Sequence, residues 1–164
     1  MKRILNILLL LVAAATAQAQ KSPDFAEKFM SLCKADTTVR CITISPKMME
    51  QMVRQHTEDR PENILQAIEK LKSARIVTAV AHYYDKADSL LQKNSRRFKA
   101  EKEYETDQHV RGAFYSRKNR KGQTVELVML RQDNARNQLV IVNLTGDIDE
   151  EFLCFLYNNK TFKN

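Results

Sequence analysis

Apolar residues recur along this chain with two different periods, and the change of period divides it into a helical first half and a strand-rich second half. An apolar run, 4–15, broken only by Asn6, precedes both halves. In 24–35, Phe25, Ala26, Phe29, Met30, Leu32 and Cys33 are spaced for one helix face. Residues 39–44 alternate around Ile42 and Ile44 and are rich in branched side chains, which predicts a strand. Ser45 and Pro46 then supply a helix cap and a first-turn proline, opening a second helix with Met48, Met49, Met52 and Val53 on one side. A third helical piece starts at Pro61 and carries Ile64, Leu65, Ile68 and Leu71 at helical spacing before Ser73. A strand over 75–81 follows, and then a long amphipathic helix over 82–98 through Tyr83, Ala87, Leu90, Leu91 and Phe98.

Beyond that helix the period shortens to two. Residues 103–104, 110–117, 124–131 and 138–145 read as short strands joined by polar turns at 119–122 and 133–137, a meander. The stretch 139–144 is almost wholly apolar, as a central strand covered on both faces would be. Gly146-Asp147 ends it, and Asp147 with Glu150 forms a capping-box-like start to a last helix containing Phe152, Leu153, Phe155 and Leu156. Helices first and strands after predict an α+β fold: a two-layer sandwich, mostly antiparallel or mixed, with the helices on one face of the sheet.

The first nineteen residues change this picture from a fold to an address. Lys2 and Arg3 precede the apolar run, and small residues stand at Ala15, Ala17 and Ala19, the pattern of a cleavable export signal. A run of twelve residues falls short of the roughly 20 that cross a bilayer as a helix, so no transmembrane anchor is expected after cleavage. Cleavage is expected after Ala17 or Ala19, preferentially after Ala19, leaving 20–164 as a single domain. No cysteine stands at either junction, which disfavours lipidation. The expected location is periplasmic or secreted.

Removing Lys2 and Arg3 lowers the whole-chain charge of +7 to +5, basic but not extreme. The cations gather at 96–99 and 117–121, the second a hairpin tip where solvated lysine and arginine are ordinary, and nucleic acid is not an expected partner. Three cysteines in an oxidising compartment allow at most one internal bridge. Cys33 and Cys41 are the candidate pair, with two buried free thiols as the alternative, and Cys154 is expected in the core. No C-x-x-C pattern supports a redox site, and no glycine-rich loop is available to cradle a phosphate.

Catalysis needs a positioned base, and the three histidines belong to no recognisable constellation. His82, Asp85 and Asp88 recur every three residues on a predicted helix, but three such ligands rarely define a metal site. His56 with Glu58 and Asp59, and His109 beside Asp107, fall in polar connections. Asp147, Asp149, Glu150 and Glu151 crowd a helix start without the fixed spacing of a calcium loop, and helix capping accounts for them. Ser45 and Ser116 lack a histidine–acid pattern that would activate a nucleophile. No catalytic residue, cofactor or metal is therefore assigned. The methionine face, Met48, Met49 and Met52, is the candidate partner-binding surface, because flexible thioethers suit adaptable apolar contacts; core filling is the alternative.

Several segments occur together in a known order: Ile42-Thr43-Ile44-Ser45-Pro46-Lys47-Met48-Met49, then Ile68-Glu69-Lys70-Leu71-Lys72-Ser73-Ala74-Arg75-Ile76, then Glu126-Leu127-Val128-Met129-Leu130, and Asn143-Leu144-Thr145-Gly146-Asp147-Ile148-Asp149. In that order they resemble the domain of unknown function 4252, small exported proteins of Bacteroidetes-type bacteria. The resemblance implies export and a compact single domain, and it supplies no catalytic residues. If the source is of that type, Asp36-Thr37-Thr38 and Asp88-Ser89-Leu90 resemble acid-hydroxyl-apolar triplets that such bacteria glycosylate. The resulting expectation is a non-enzymatic cell-envelope module that binds another envelope protein or a small apolar ligand. The alternative is an envelope hydrolase whose site, with His82 or His109 as base, is assembled only in three dimensions.

Overall fold

The computed structural model describes residues 23–55, 62–106 and 109–158; residues 1–19, expected to form the export signal, lie outside them. Asp24 starts the first helix, α1 (Phe25–Leu32), by accepting a hydrogen bond from the Glu27 N–H at 2.9 Å. The helix buries Phe25, Ala26 and Phe29 and ends where the Cys33 N–H returns to the Met30 carbonyl. Asp36 then turns the chain by accepting from the backbone and hydroxyl of Thr38. The edge strand β1 (Arg40–Ile44) follows. Ser45 Oγ accepts from the Met48 N–H and Pro46 takes the first turn of α2 (Pro46–Gln55), as the dipeptide predicts. After α3 (Glu62–Glu69) the chain enters β2 (Leu71–Ala79). A short 3-10 turn (Ala81–Tyr83) leads into α4 (Tyr84–Lys93). Strands β3 (Lys99–Thr106), β4 (Val110–Lys118), β5 (Thr124–Asp133) and β6 (Gln138–Ile148) precede the last helix, α5 (Glu150–Asn158).

All six strands form one antiparallel sheet in the order β1-β2-β6-β5-β4-β3. The meander and the α+β class are as expected. The number of layers is not: helices cover both faces, giving three layers instead of two. On one face, α1 and α4 pack Phe25, Phe29, Ala87 and Leu91 against Val77, Val128, Leu130, Leu139 and Ile141. On the other, α2, α3 and α5 pack Met49, Ile64, Ile68, Phe152 and Leu156 against Phe114, Leu127, Met129 and Leu144. The physical reason is in the central strands. Leu127, Val128, Met129 and Leu130 are consecutive and all buried, so both pleat faces of β5 need a cover. The run over 139–144 carries the same message for β6.

Element boundaries shift where one side chain satisfies two patterns. Leu71 continues the helical spacing of Ile64 and Ile68, yet it opens β2 and packs in the same cluster with them. Phe98 is likewise buried without being helical; α4 stops at Lys93, and the Arg97 and Phe98 N–H groups bond to the Asn94 carbonyl. Strand β6 runs past Gly146 to Ile148, because Gly146 adopts φ +147° and a Cβ there would stand 2.6 Å from Leu71 Cα and the Lys70 carbonyl. A side chain would break that crossing at the bulge of β2. The last helix is therefore capped by Asp149, whose Oδ1 accepts from the Phe152 N–H at 2.9 Å, and not by Asp147.

Candidate functional site

Two features of the described residues differ from ordinary core and solvated surface. The first is polar and lies where the amino end of α1 meets β5 and β6. Glu126 and Asn143 point into this face from adjacent strands, both 1% exposed. The Glu126 carboxylate accepts from the Phe25 N–H at 2.7 Å, from Asn143 Nδ2 at 3.1 Å and from Arg117 Nε at 2.7 Å. Asn143 Oδ1 accepts from the Ala26 N–H at 2.9 Å. With Asp24 on the Glu27 N–H, the three leading amides of α1 each have an acceptor from a different place in the chain. A buried carboxylate is tolerable here because a guanidinium and two neutral donors share it.

Beside this cap lies a cleft of about 410 Å³ lined by Asp24, Glu27, Lys72, Ser73, Arg75 and Thr145 among others. Arg75 donates to Asp24 at 2.9 Å and to Glu27 at 2.6 Å, and Ser73 Oγ lies 2.8 Å from Thr145 Oγ1. Burial pushes the Asp24 carboxyl up from the usual range, against the opposing pull of the Glu27 amide and Arg75. The charged groups largely satisfy one another, so the cleft reads chemically as the seat of α1. It holds no histidine.

The second feature is apolar. Among the described residues the exposed large hydrophobics are Leu32 at 53%, at the end of α1, and Ile42 at 62% and Met48 at 50%, on β1 and at the start of α2. A groove of about 480 Å³ runs between α1 and β1, lined by Met30, Ser31, Cys41, Thr43 and Arg75 among others. Side chains alternate across a strand, so Cys41 and Thr43 border this groove while Ile42 turns to the opposite face with Ile44. The sequence marks Met48 for this surface and Ile42 only for a strand; the exposure of Ile42 follows from β1 being an edge, which spacing does not disclose.

The methionine face is divided by the structure. Met48 is exposed, Met49 is buried in the second core, and the Met52 side chain lies outside the described residues. Cys33 is buried at the end of α1 and Cys41 is exposed on β1; both are free thiols here. Cys154 is exposed on α5, a correction to its expected place in the core. His82 is exposed in the 3-10 turn and stacks on Tyr83 with ring centroids 4.5 Å apart. Of its helical neighbours, Asp85 is exposed and accepts from Arg111 at 2.8 Å, and the half-buried Asp88 accepts from the Tyr115 hydroxyl at 2.5 Å. His109 is exposed in the β3–β4 turn with φ 59°. His56, Glu58, Asp59 and Asp107 lie outside the described residues. Among the described residues no group of three or more His, Cys, Asp or Glu side chains is placed to hold a metal ion. Thr37 and Ser89 are both exposed.

A family model described as a domain of unknown function (DUF4252) matches residues 29–153. No curated protein and no solved structure matches the chain.

Proposed function

The chain belongs to the DUF4252 family, and from that premise we propose that it is an exported cell-envelope protein of Bacteroidetes-type bacteria acting as a non-enzymatic binding module. It holds an envelope partner or a small apolar ligand and does not turn over a substrate. The observation that carries this reading is the exposure of Ile42 and Met48 on one sheet edge and the helix that follows it, in a protein whose large apolar side chains among the described residues are, Leu32 apart, at least partly covered. Export is supported by the basic, apolar and small-residue order of 1–19. Among the described residues no helix is long and apolar enough to cross a membrane.

The test is fractionation of a Bacteroidetes-type host producing the chain, with amino-terminal sequencing of the product and cross-linking in the intact envelope. The expected result is a chain in the periplasm or medium that begins at Gln20 and cross-links to a defined partner or retains an apolar ligand. A product that keeps Met1 and stays in the cytoplasm overturns the export half. Turnover of an ester or peptide substrate that disappears in His82→Ala or His109→Ala overturns the non-enzymatic half.

A further inference from the structure

The open sheet has two edges, and they are built differently. At β3, five of eight residues are charged (Lys99, Glu101, Lys102, Glu103 and Glu105), and the register is broken by a bulge between Ala100 and Lys102. Lys102 is further tied to the Tyr157 carbonyl of α5. These are the devices that stop a sheet edge from pairing with another chain. At β1 there is one charge, Arg40, and the pairing with β2 runs without a register break from Arg40 to Ile44. Alternate residues of β1 turn their N–H and C=O groups away from β2, and four of its five residues are exposed.

From this contrast we infer that β1 is a strand-addition site that takes an extended acidic–apolar segment of a partner protein. The inference rests on reading the chain as a binding module and gives that module its contact surface. An added strand would pair antiparallel or parallel with the outward groups of β1 and send alternate side chains to two prepared places. On one face lies the groove of about 480 Å³ beside Met30, Cys41 and Thr43. On the other stands Ile42, with Met48 exposed at the start of the following helix.

Charge selects the occupant. Arg40 stands on β1 and Lys47 in the first turn of the helix that follows it, both exposed, and neither makes an ion pair among the described residues. On the groove side the acids Glu27 and Asp24 are both held by Arg75, at 2.6 and 2.9 Å. A second copy pairing through its own β1 would bring the same cations together with no acid between them. The chain's own residues 159–164 carry Lys160 and Lys163 and no acid. An acidic strand with branched apolar residues complements both the charge and the alternation.

The experiment uses purified protein and two labelled seven-residue synthetic peptides, one alternating valine with glutamate and the other valine with lysine, read by fluorescence anisotropy and by amide hydrogen exchange. The glutamate peptide is expected to bind at least about ten-fold more tightly than the lysine peptide and to protect amides within Arg40–Ile44. Arg40→Glu should reverse the preference, and Ile42→Lys should weaken the glutamate peptide while leaving the unfolding transition in place, since Ile42 is exposed. Equal binding of the two peptides, or protection confined to other elements, overturns the inference. So does a concentration-dependent dimer abolished by Ile42→Lys, which would make a second copy the occupant. If envelope cross-links persist unchanged in Arg40→Glu and Ile42→Lys, the binding-module reading stands and the edge assignment falls.

Discussion

The two helical layers are fastened to the same sheet in different ways. The layer of α1 and α4 is held by packing and also by directional polar contacts: Glu126 and Asn143 on the α1 amides, Asp88 on Tyr115, and Asp85 on Arg111. Tyr83, in the 3-10 turn before α4, adds a hydrogen bond to Asp36 at 2.6 Å. The layer of α2, α3 and α5 is held mainly by a cluster of apolar side chains; its side-chain links from Lys70 to Asp149 and from Asn63 to Glu151 are exposed, and Lys102 of β3 reaches the Tyr157 carbonyl of α5. Apolar packing rewards burial at many nearby positions, whereas a hydrogen bond rewards one. The first layer is therefore fixed in position as well as held, and that layer forms one wall of the groove beside β1.

Removing the polar fastening should have the largest effect. Glu126→Ala leaves the Arg117 guanidinium and the Phe25 amide without their acceptor, and breaking a buried charge pair from one side costs about 3–5 kcal/mol. Urea unfolding measures the loss, and hydrogen exchange should show α1 opening before α5. Glu126→Gln, which keeps one carbonyl acceptor, should lose less. A loss for Glu126→Ala no greater than for an exposed residue would show that the polar fastening contributes nothing. Leu127→Ala, on the same strand but facing the second layer, should cost about 2–5 kcal/mol through lost burial and the cavity left behind. Its opening should fall on α2, α3 and α5, and preferential opening of α1 would erase the distinction between the layers.

The division between layers was only partly legible in the sequence. Periodicity located α1, β1 and α2, because Asp24 and Ser45-Pro46 act locally and their bonds lie within four residues. It missed most of β3, whose exposed charged positions obey no apolar alternation and whose strand state depends on pairing with β4. The apolar run 139–144 marks β6 as a strand covered on both faces, but periodicity does not assign the helices to two layers, and the second layer appears only in the fold. Glu126 gave no signal. A lone acid in the apolar run 125–130 reads as a solvent-facing position, and only the fold brings the Phe25 amide, 101 residues away in sequence, to its carboxylate. The exposure of Ile42 depends on strand order, which is equally non-local.

A smaller effect separates α4 from the second layer. Tyr115→Phe removes the hydroxyl that donates to Asp88 while leaving the ring in the first core, so the expected loss is about 1 kcal/mol, below that of the buried Glu126 because Asp88 is partly hydrated. Thermal unfolding checks it, and an unchanged midpoint would assign α4 to packing alone.

The smallest and most specific effect is a pH dependence confined to the first layer. Asp36 accepts from the Thr38 hydroxyl, the Tyr83 hydroxyl and the Thr38 amide, and these bonds hold its carboxyl at about 2, below the usual range. Because the folded value lies beneath the unfolded one of about 3.9, the contribution of Asp36 is fully present above about pH 4 and is lost as pH falls through about 2. The other end of the same bond behaves in reverse. Tyr83 is pushed up to about 12 by the Asp36 carboxylate, so its contribution is complete below about pH 10 and disappears as pH rises through about 12. Denaturant midpoints of the natural chain and of Asp36→Asn should therefore differ at neutral pH and converge between about pH 4 and 2. Tyr83→Phe should remove the alkaline loss and only part of the acid one, since Thr38 still holds the carboxylate. If Tyr83→Phe abolishes the whole acid difference, Asp36 serves the helical layer alone and the turn into β1 owes it nothing; if the acid difference is untouched, the Asp36–Tyr83 bond is not among the fastenings of that layer.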